Sequence, residues 1–262
     1  MKQGRFQYKK TRKGVDDVKK VRVGEKLTMK NKLFLLVIIL IVLLLVGMIV
    51  IPNNPLYGIN WALASVMIIG LALLAFFWQF ERSEVNVQSL TMLATIATLA
   101  AIARVPFVAV MGLQPTTFIV MITGYVFGSQ TGFMVGAVAA LVSNFFLGQG
   151  PWTPWQMFSW GICGVIAGLI GNPNRFRLIN FTIVAGLCGY LFGWIMNIWH
   201  WIGFVYPLNL TTYIATWLAS IPSDTLHAAG NIAFSLLFGK SFYSILIRFR
   251  KKMQTTYLDA NS

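Results

Sequence analysis

Charge is what this chain has least of. Only 11% of its 262 residues are charged, against about 25% in a soluble domain. Seven residues are acidic, and between Val85 and Leu258 the single one is Asp224. A water-exposed surface of this size is excluded, so lipid must cover much of the chain. Cysteine is also scarce. Cys163 and Cys188 sit inside apolar runs and read as small core residues, giving no disulfide or metal signal. Two histidines and one acid make no recognisable metal site. Neither H-E-x-x-H nor Gly-x-Ser-x-Gly occurs, and these absences argue against an enzyme. Gly239-Lys240-Ser241 ends like a phosphate-binding loop, but Phe234 stands where the first glycine belongs. The tripeptide also closes an apolar helix instead of following a strand. The chain is therefore expected to bind no ATP and no other cofactor.

Long apolar runs are abundant. Leu33–Ile51 has the length of a bilayer-spanning helix, and a second run extends from about Trp61 to Phe80. From Val85 to Phe238 the only charges are Arg104, Arg175, Arg177 and Asp224. The runs are solid, whereas an outer-membrane barrel would alternate. The expected class is all-α and polytopic. Eight spans are predicted, near Leu33–Ile51, Ile59–Phe80, Ser89–Arg104, Pro115–Phe127, Thr131–Leu147, Gln156–Ile170, Leu178–Ile202 and Pro222–Phe249. The basic leader and the length of the first run read as a retained anchor, not a cleaved signal.

The net charge of +14 is concentrated near the ends. Twelve of 21 basic residues precede Leu33, and Arg248, Arg250, Lys251 and Lys252 follow the last run. Basic residues beside spans read as orientation signals, which places both termini in the cytoplasm and argues against nucleic acid. The turn at Asn172–Arg177 then falls inside as well. The organisation expected is a basic tail (1–32), a two-helix extension (33–86), a six-helix core (87–252) and a C-terminal tail (253–262).

Glycines recur at helical spacing: Gly124, Gly128, Gly132 and Gly136; Gly161, Gly164, Gly168 and Gly171; Gly186, Gly189 and Gly193. Such rows mark close helix contacts in lipid. Tyr213, Ile214, Trp217 and Leu218 share a helical face. Pro222 favours a break after them, so a short helix over the outer mouth is expected.

Polar residues inside spans tend to face the bundle interior. Asn144, Asn197, His200, Trp201, Asp224, His227 and Asn231 all fall toward the predicted outer ends. The loop Gly148-Gln149-Gly150-Pro151-Trp152-Thr153-Pro154-Trp155 fixes an irregular backbone beside flat aromatic rings, and reads as a binding loop or an aromatic belt. Gln114, Thr116 and Thr117 stand at another outer mouth, for binding or helix capping. Asp224 suits a helix N-terminus and also a ligand contact. Arg104 is open to three roles: reaching headgroups, pairing with Asp224, or meeting an anionic ligand.

Three features carry a family resemblance over roughly Val87–Lys252. They are Ala97-x-x-x-Ala101, Pro222-Ser223-Asp224-x-x-His227, and Gln114-Pro115-Thr116-Thr117 followed by Ser143 through Gln156. The core resembles the S components of energy-coupling factor (ECF) transporters, and the last feature is similar to the subgroup assigned to cobalamin. That resemblance implies a six-helix membrane protein that captures a vitamin outside. It implies partners too: a transmembrane coupling subunit, met by Ala97 and Ala101, and two cytoplasmic ATPase subunits that use the ATP. A cobalamin-like ligand would be contacted by Trp152 and Trp155. Gln114, Asn144, Asn197 and His227 would give polar support, with Thr116, Thr117, Gln149, His200, Trp201 and Asp224 as further candidates. The alternatives are a different vitamin, a cobinamide-like precursor or a modified-base precursor, an ion-coupled secondary transporter using Asp224, and an assembly factor. No inverted repeat of the secondary-transporter kind is visible.

Overall fold

The computed structural model describes residues 61–81, 87–107, 109–110 and 112–260. Regular structure among the described residues is helical throughout. The helices are α1 (Trp61–Glu81), α2 (Val87–Arg104), α3 (Pro115–Phe127), α4 (Ser129–Leu147), α5 (Thr153–Ile170), α6 (Leu178–Phe204) and α7 (Leu210–Ala260), with a 3-10 turn at Val105–Phe107. Seven predicted spans thus have a helix. The first, Leu33–Ile51, lies outside the described residues. Among the described residues, five helices are long and apolar enough to cross a membrane: α1, α2 with its 3-10 turn, α4, α6 and α7.

The short α3 holds the bundle together. Its 13 residues are all buried. At about 20 Å it is too short to span a hydrocarbon core alone, but protein surrounds it. It packs against α2, α4, α5, α6 and α7. Pro115 starts it, where no helical N–H is needed. Gly128, at φ 100°, turns the chain directly into α4. The expected glycine contacts are present. A Cβ on Gly132 would come within 2.6 Å of the Gly164 carbonyl oxygen and 2.7 Å of the Gly124 Cα. Three backbones meet at this crossing, a closeness that supplies dispersion contacts where lipid removes the hydrophobic driving force.

The second unit is the antiparallel pair α6–α7. Trp201 Nε1 donates to Thr212 Oγ1 (2.9 Å) and Asn197 Nδ2 to Ser220 Oγ (2.6 Å). Further along, the Asp224 carboxylate lies against Gly193 and Ala228 against Gly189. Asn231 Nδ2 then donates to the Ala185 carbonyl (3.2 Å). This pairing corrects the expected break at Pro222. α7 is one helix of 51 residues that runs through Pro222, so Tyr213–Leu218 form its first leg and no separate short helix. Proline inside a helix costs about 3 kcal/mol. Contacts with α6 on the near side of Pro222 offset it, including the Trp194–Trp217 edge contact at 5.8 Å.

α1 packs on α5 and α6, and its Phe76 stacks on Phe133 of α4 with centroids 3.8 Å apart. Its opposite face exposes Leu63, Met67, Leu71, Leu74 and Trp78. α7 likewise exposes Leu210, Ile214, Leu218, Leu237 and Ile245. These apolar faces suit acyl chains.

Candidate functional site

Buried polar groups gather at one end of the bundle, where α2 and α4 finish and α3 and α5 begin. Asn144, on the last turn of α4, is their hub. Its Oδ1 accepts from Arg104 Nη1 (2.7 Å). Its Nδ2 donates to Gln156 Oε1 (2.7 Å) and Thr153 Oγ1 (3.0 Å). Arg104 Nη1 donates also to Ser143 Oγ (2.7 Å). Thr153 Oγ1 donates to Gln149 Oε1 (2.9 Å), and Gln149 Nε2 to the Leu141 carbonyl (3.0 Å). The irregular loop makes this possible. Gly148 takes φ 106° to leave α4, and Pro154 stands in the first turn of α5, where it costs no hydrogen bond.

One turn deeper on α5 lies Trp160, fully buried. The Arg104 guanidinium carbon sits 4.8 Å from its ring centroid, and the Phe192 ring of α6 lies at 4.6 Å. Trp160 Nε1 donates to Thr117 Oγ1 (2.9 Å), which is 2.8 Å from His227 Nε2. His227 meets the Phe192 ring edge-on at 5.1 Å. Side chains from α2, α3, α6 and α7 therefore gather around one indole of α5. Two neighbouring groups are tied less fully. Thr116 Oγ1 donates to the Ala100 carbonyl (3.1 Å), joining α3 to α2. Gln114 Oε1 is buried without a hydrogen-bond partner.

Of the residues singled out from sequence, Asn144, Gln149, Thr117 and His227 come together here, with Gln114 and Thr116 adjoining. Asn197, Trp201 and Asp224 do not. They lie in the α6–α7 seam, where Ser220 links Asn197 to the Asp224 carboxylate (2.8 Å). Arg104 does not pair with Asp224. His200 is exposed and stacks on Phe204 at 5.6 Å.

The two loop tryptophans differ from each other. Trp152 is 36% exposed, whereas Trp155 is 4% exposed and its Nε1 has no partner. Trp155 follows Thr153 by two residues, about 200° around the helix, so it faces away from the Thr153–Gln156–Trp160 side. Ala97 and Ala101 are fully buried inside this chain, against the expected contact with a coupling subunit. The residues that α2 exposes at this level are Ala94, Thr95, Thr98, Leu99 and Ile102.

Trp160, Gln156, Ser143 and Phe192 were missed by sequence reasoning. The spacing Thr153, Gln156, Trp160 places all three on one face of α5 and could have found Trp160. The assembled site presents amides, hydroxyls, aromatic faces and a single guanidinium. Chemically, that set can donate and accept hydrogen bonds, stack on flat groups and pair with an anion.

Residues 88–251 match the family described as ECF transporter, substrate-specific component. A UPF0397 protein of Aliivibrio salmonicida (strain LFI1238) is 28% identical over 161 residues, 59% of this chain and 83% of its own length. A UPF0397 protein of Vibrio atlanticus (strain LGP32) is 34% identical over 74 residues, 28% of this chain and 40% of its own length, so that match spans less than half of that relative. No solved structure matches the chain. The family match starts at the first turn of α2, reaches the basic residues of α7 and contains every member of the Asn144–Trp160 network. The chain belongs to the family of ECF transporter substrate-specific components.

Proposed function

We propose that this chain captures cobalamin, or a cobinamide-like precursor, at the end of the bundle built around Asn144 and Trp160. That end faces outward in this reading, with both chain termini in the cytoplasm. Partner subunits, a transmembrane coupling protein and two ATPases, then drive uptake with ATP.

The observation that carries the reading is the polar network itself, inside a chain of this family. Buried polar groups are expensive in a lipid-embedded bundle. A protein that only needed to fold would keep this region apolar. Here Arg104, Ser143, Asn144, Thr153, Gln156 and Thr117 are gathered at one bundle end, where the last turn of α4 exposes Phe145 and Phe146 and the following loop exposes Gln149 and Trp152. A corrinoid offers what such a surface would take: amide groups around its rim, apolar planes and one phosphate. The basic turn at Asn172–Arg177 and the basic run Arg248–Lys252 stand at the opposite end, which supports the orientation.

Calorimetry on the detergent-purified chain tests the ligand, with cobinamide and an unrelated vitamin as controls. Saturable binding of a corrinoid alone is expected. Saturable binding of the unrelated vitamin alone would replace the ligand and leave the class intact.

A further inference from the structure

Among the described residues, Arg104 is a buried cation that meets no buried anion. The residue is 7% exposed. Its Nη1 bonds go to neutral oxygens of Ser143 and Asn144, and its Nε is buried with no partner among the described residues. Between Val85 and Leu258 the chain has one acid, Asp224. That carboxylate is occupied by Ser220 in the α6–α7 seam. The head group is not held in water either, as a snorkelling arginine would be. Removing a charge from water without a counter-charge is costly, so the fold maintains Arg104 at the expense of its own stability.

Its surroundings also fix its plane. The guanidinium lies over Trp160, which is pinned through Thr117 to His227. A rigid, desolvated guanidinium whose buried Nε–H is unbonded keeps a donor suited to a two-point bond with a carboxylate or a phosphate.

We infer that Arg104 is a specificity-determining residue, and that the captured substrate carries an oxyanion which seats against its guanidinium above Trp160. This rests on the capture end proposed above. It holds for any vitamin with a carboxylate or phosphate, and for cobalamin the group is the single phosphodiester, which cobinamide lacks.

The test uses the full chain in uncharged detergent and the variants Arg104→Gln and Arg104→Lys. Inorganic phosphate, compared with chloride at equal ionic strength, raises the melting temperature of the wild type and leaves Arg104→Gln unmoved. Arg104→Lys shows a reduced rise, because the charge remains and the fork is lost. Without phosphate, Arg104→Gln melts no lower than the wild type, an outcome that a purely structural arginine would not give. Cobalamin binds the wild type at least tenfold more tightly than Arg104→Gln, while cobinamide binds both equally.

An equal phosphate response in wild type and Arg104→Gln, or none in either, overturns the inference. So does an Arg104-dependent rise given by phosphatidylglycerol and not by free phosphate, which would put a lipid headgroup there. If the wild type binds neither corrinoid, the cobalamin reading fails by itself and the phosphate comparison still decides Arg104.

Discussion

The two ends of the bundle handle positive charge in opposite ways. At the basic end Arg250 Nη1 donates to the Val126 carbonyl (2.7 Å), on the last turn of α3. A helix C-terminus with open carbonyls is where a cation is stabilising. Tyr243 Oη bonds the Pro173 carbonyl (2.8 Å) and Tyr125 Oη the Arg175 carbonyl (2.9 Å), and Phe176 stacks on Tyr243 at 4.7 Å. These groups close a turn with backbone partners supplied by the chain. At the polar end Arg104 bonds the neutral side chains of Ser143 and Asn144 and lies against an aromatic face. One end uses backbone carbonyls and the other side chains alone, and the second is the end proposed for capture.

The contrast can be broken from either side. The largest effect is expected for Asn144→Leu, which takes an acceptor from Arg104 and the donor that Gln156 Oε1 and Thr153 Oγ1 share. Stability should fall by about 3 kcal/mol, read as a lower melting temperature, and corrinoid affinity should fall at least a hundredfold by calorimetry. Trp160→Phe comes next, since it keeps a ring under Arg104 and removes the donor to Thr117. A cost of about 1–2 kcal/mol is expected, with binding weakened roughly tenfold, the same energy expressed as affinity. Tyr243→Phe at the basic end should cost about 1 kcal/mol of stability and leave affinity unchanged. Weakened binding by this variant would erase the distinction between the ends. The smallest effect belongs to the exposed His200→Ala, within about 0.5 kcal/mol and with binding unaltered. A large loss there would restore His200 as a ligand contact.

Much of the helical layout was legible because apolar runs and glycine rows report on lipid and on close packing directly. Gly124, Gly132 and Gly164 meet as their spacing implied. α7 was misjudged because a proline rule is local. The offsetting contacts, Asn197 with Ser220 and Trp194 with Trp217, come from another helix and from a register that no single run reveals. The site was legible where a polar side chain interrupts an apolar run, as at Asn144, Thr117 and His227. Trp160 escaped notice because a tryptophan in such a run looks like ordinary apolar mass. Only its partners, Arg104 and Thr117, distinguish it. Trp155 is buried on a side of α5 that its proximity to Pro154 in sequence does not reveal. Ala97 and Ala101 show a similar limit. Small-residue spacing marks a close helix contact but not whether the facing helix belongs to the same chain.

Hydrogen–deuterium exchange of the purified full chain, with and without cobalamin, tests the capture end most directly. The account predicts ligand-dependent protection confined to residues 104–117 and 141–156, with exchange in 171–177 and 243–253 unchanged. Protection confined to those last two segments, or saturating cobalamin without protection at the polar end, would contradict it.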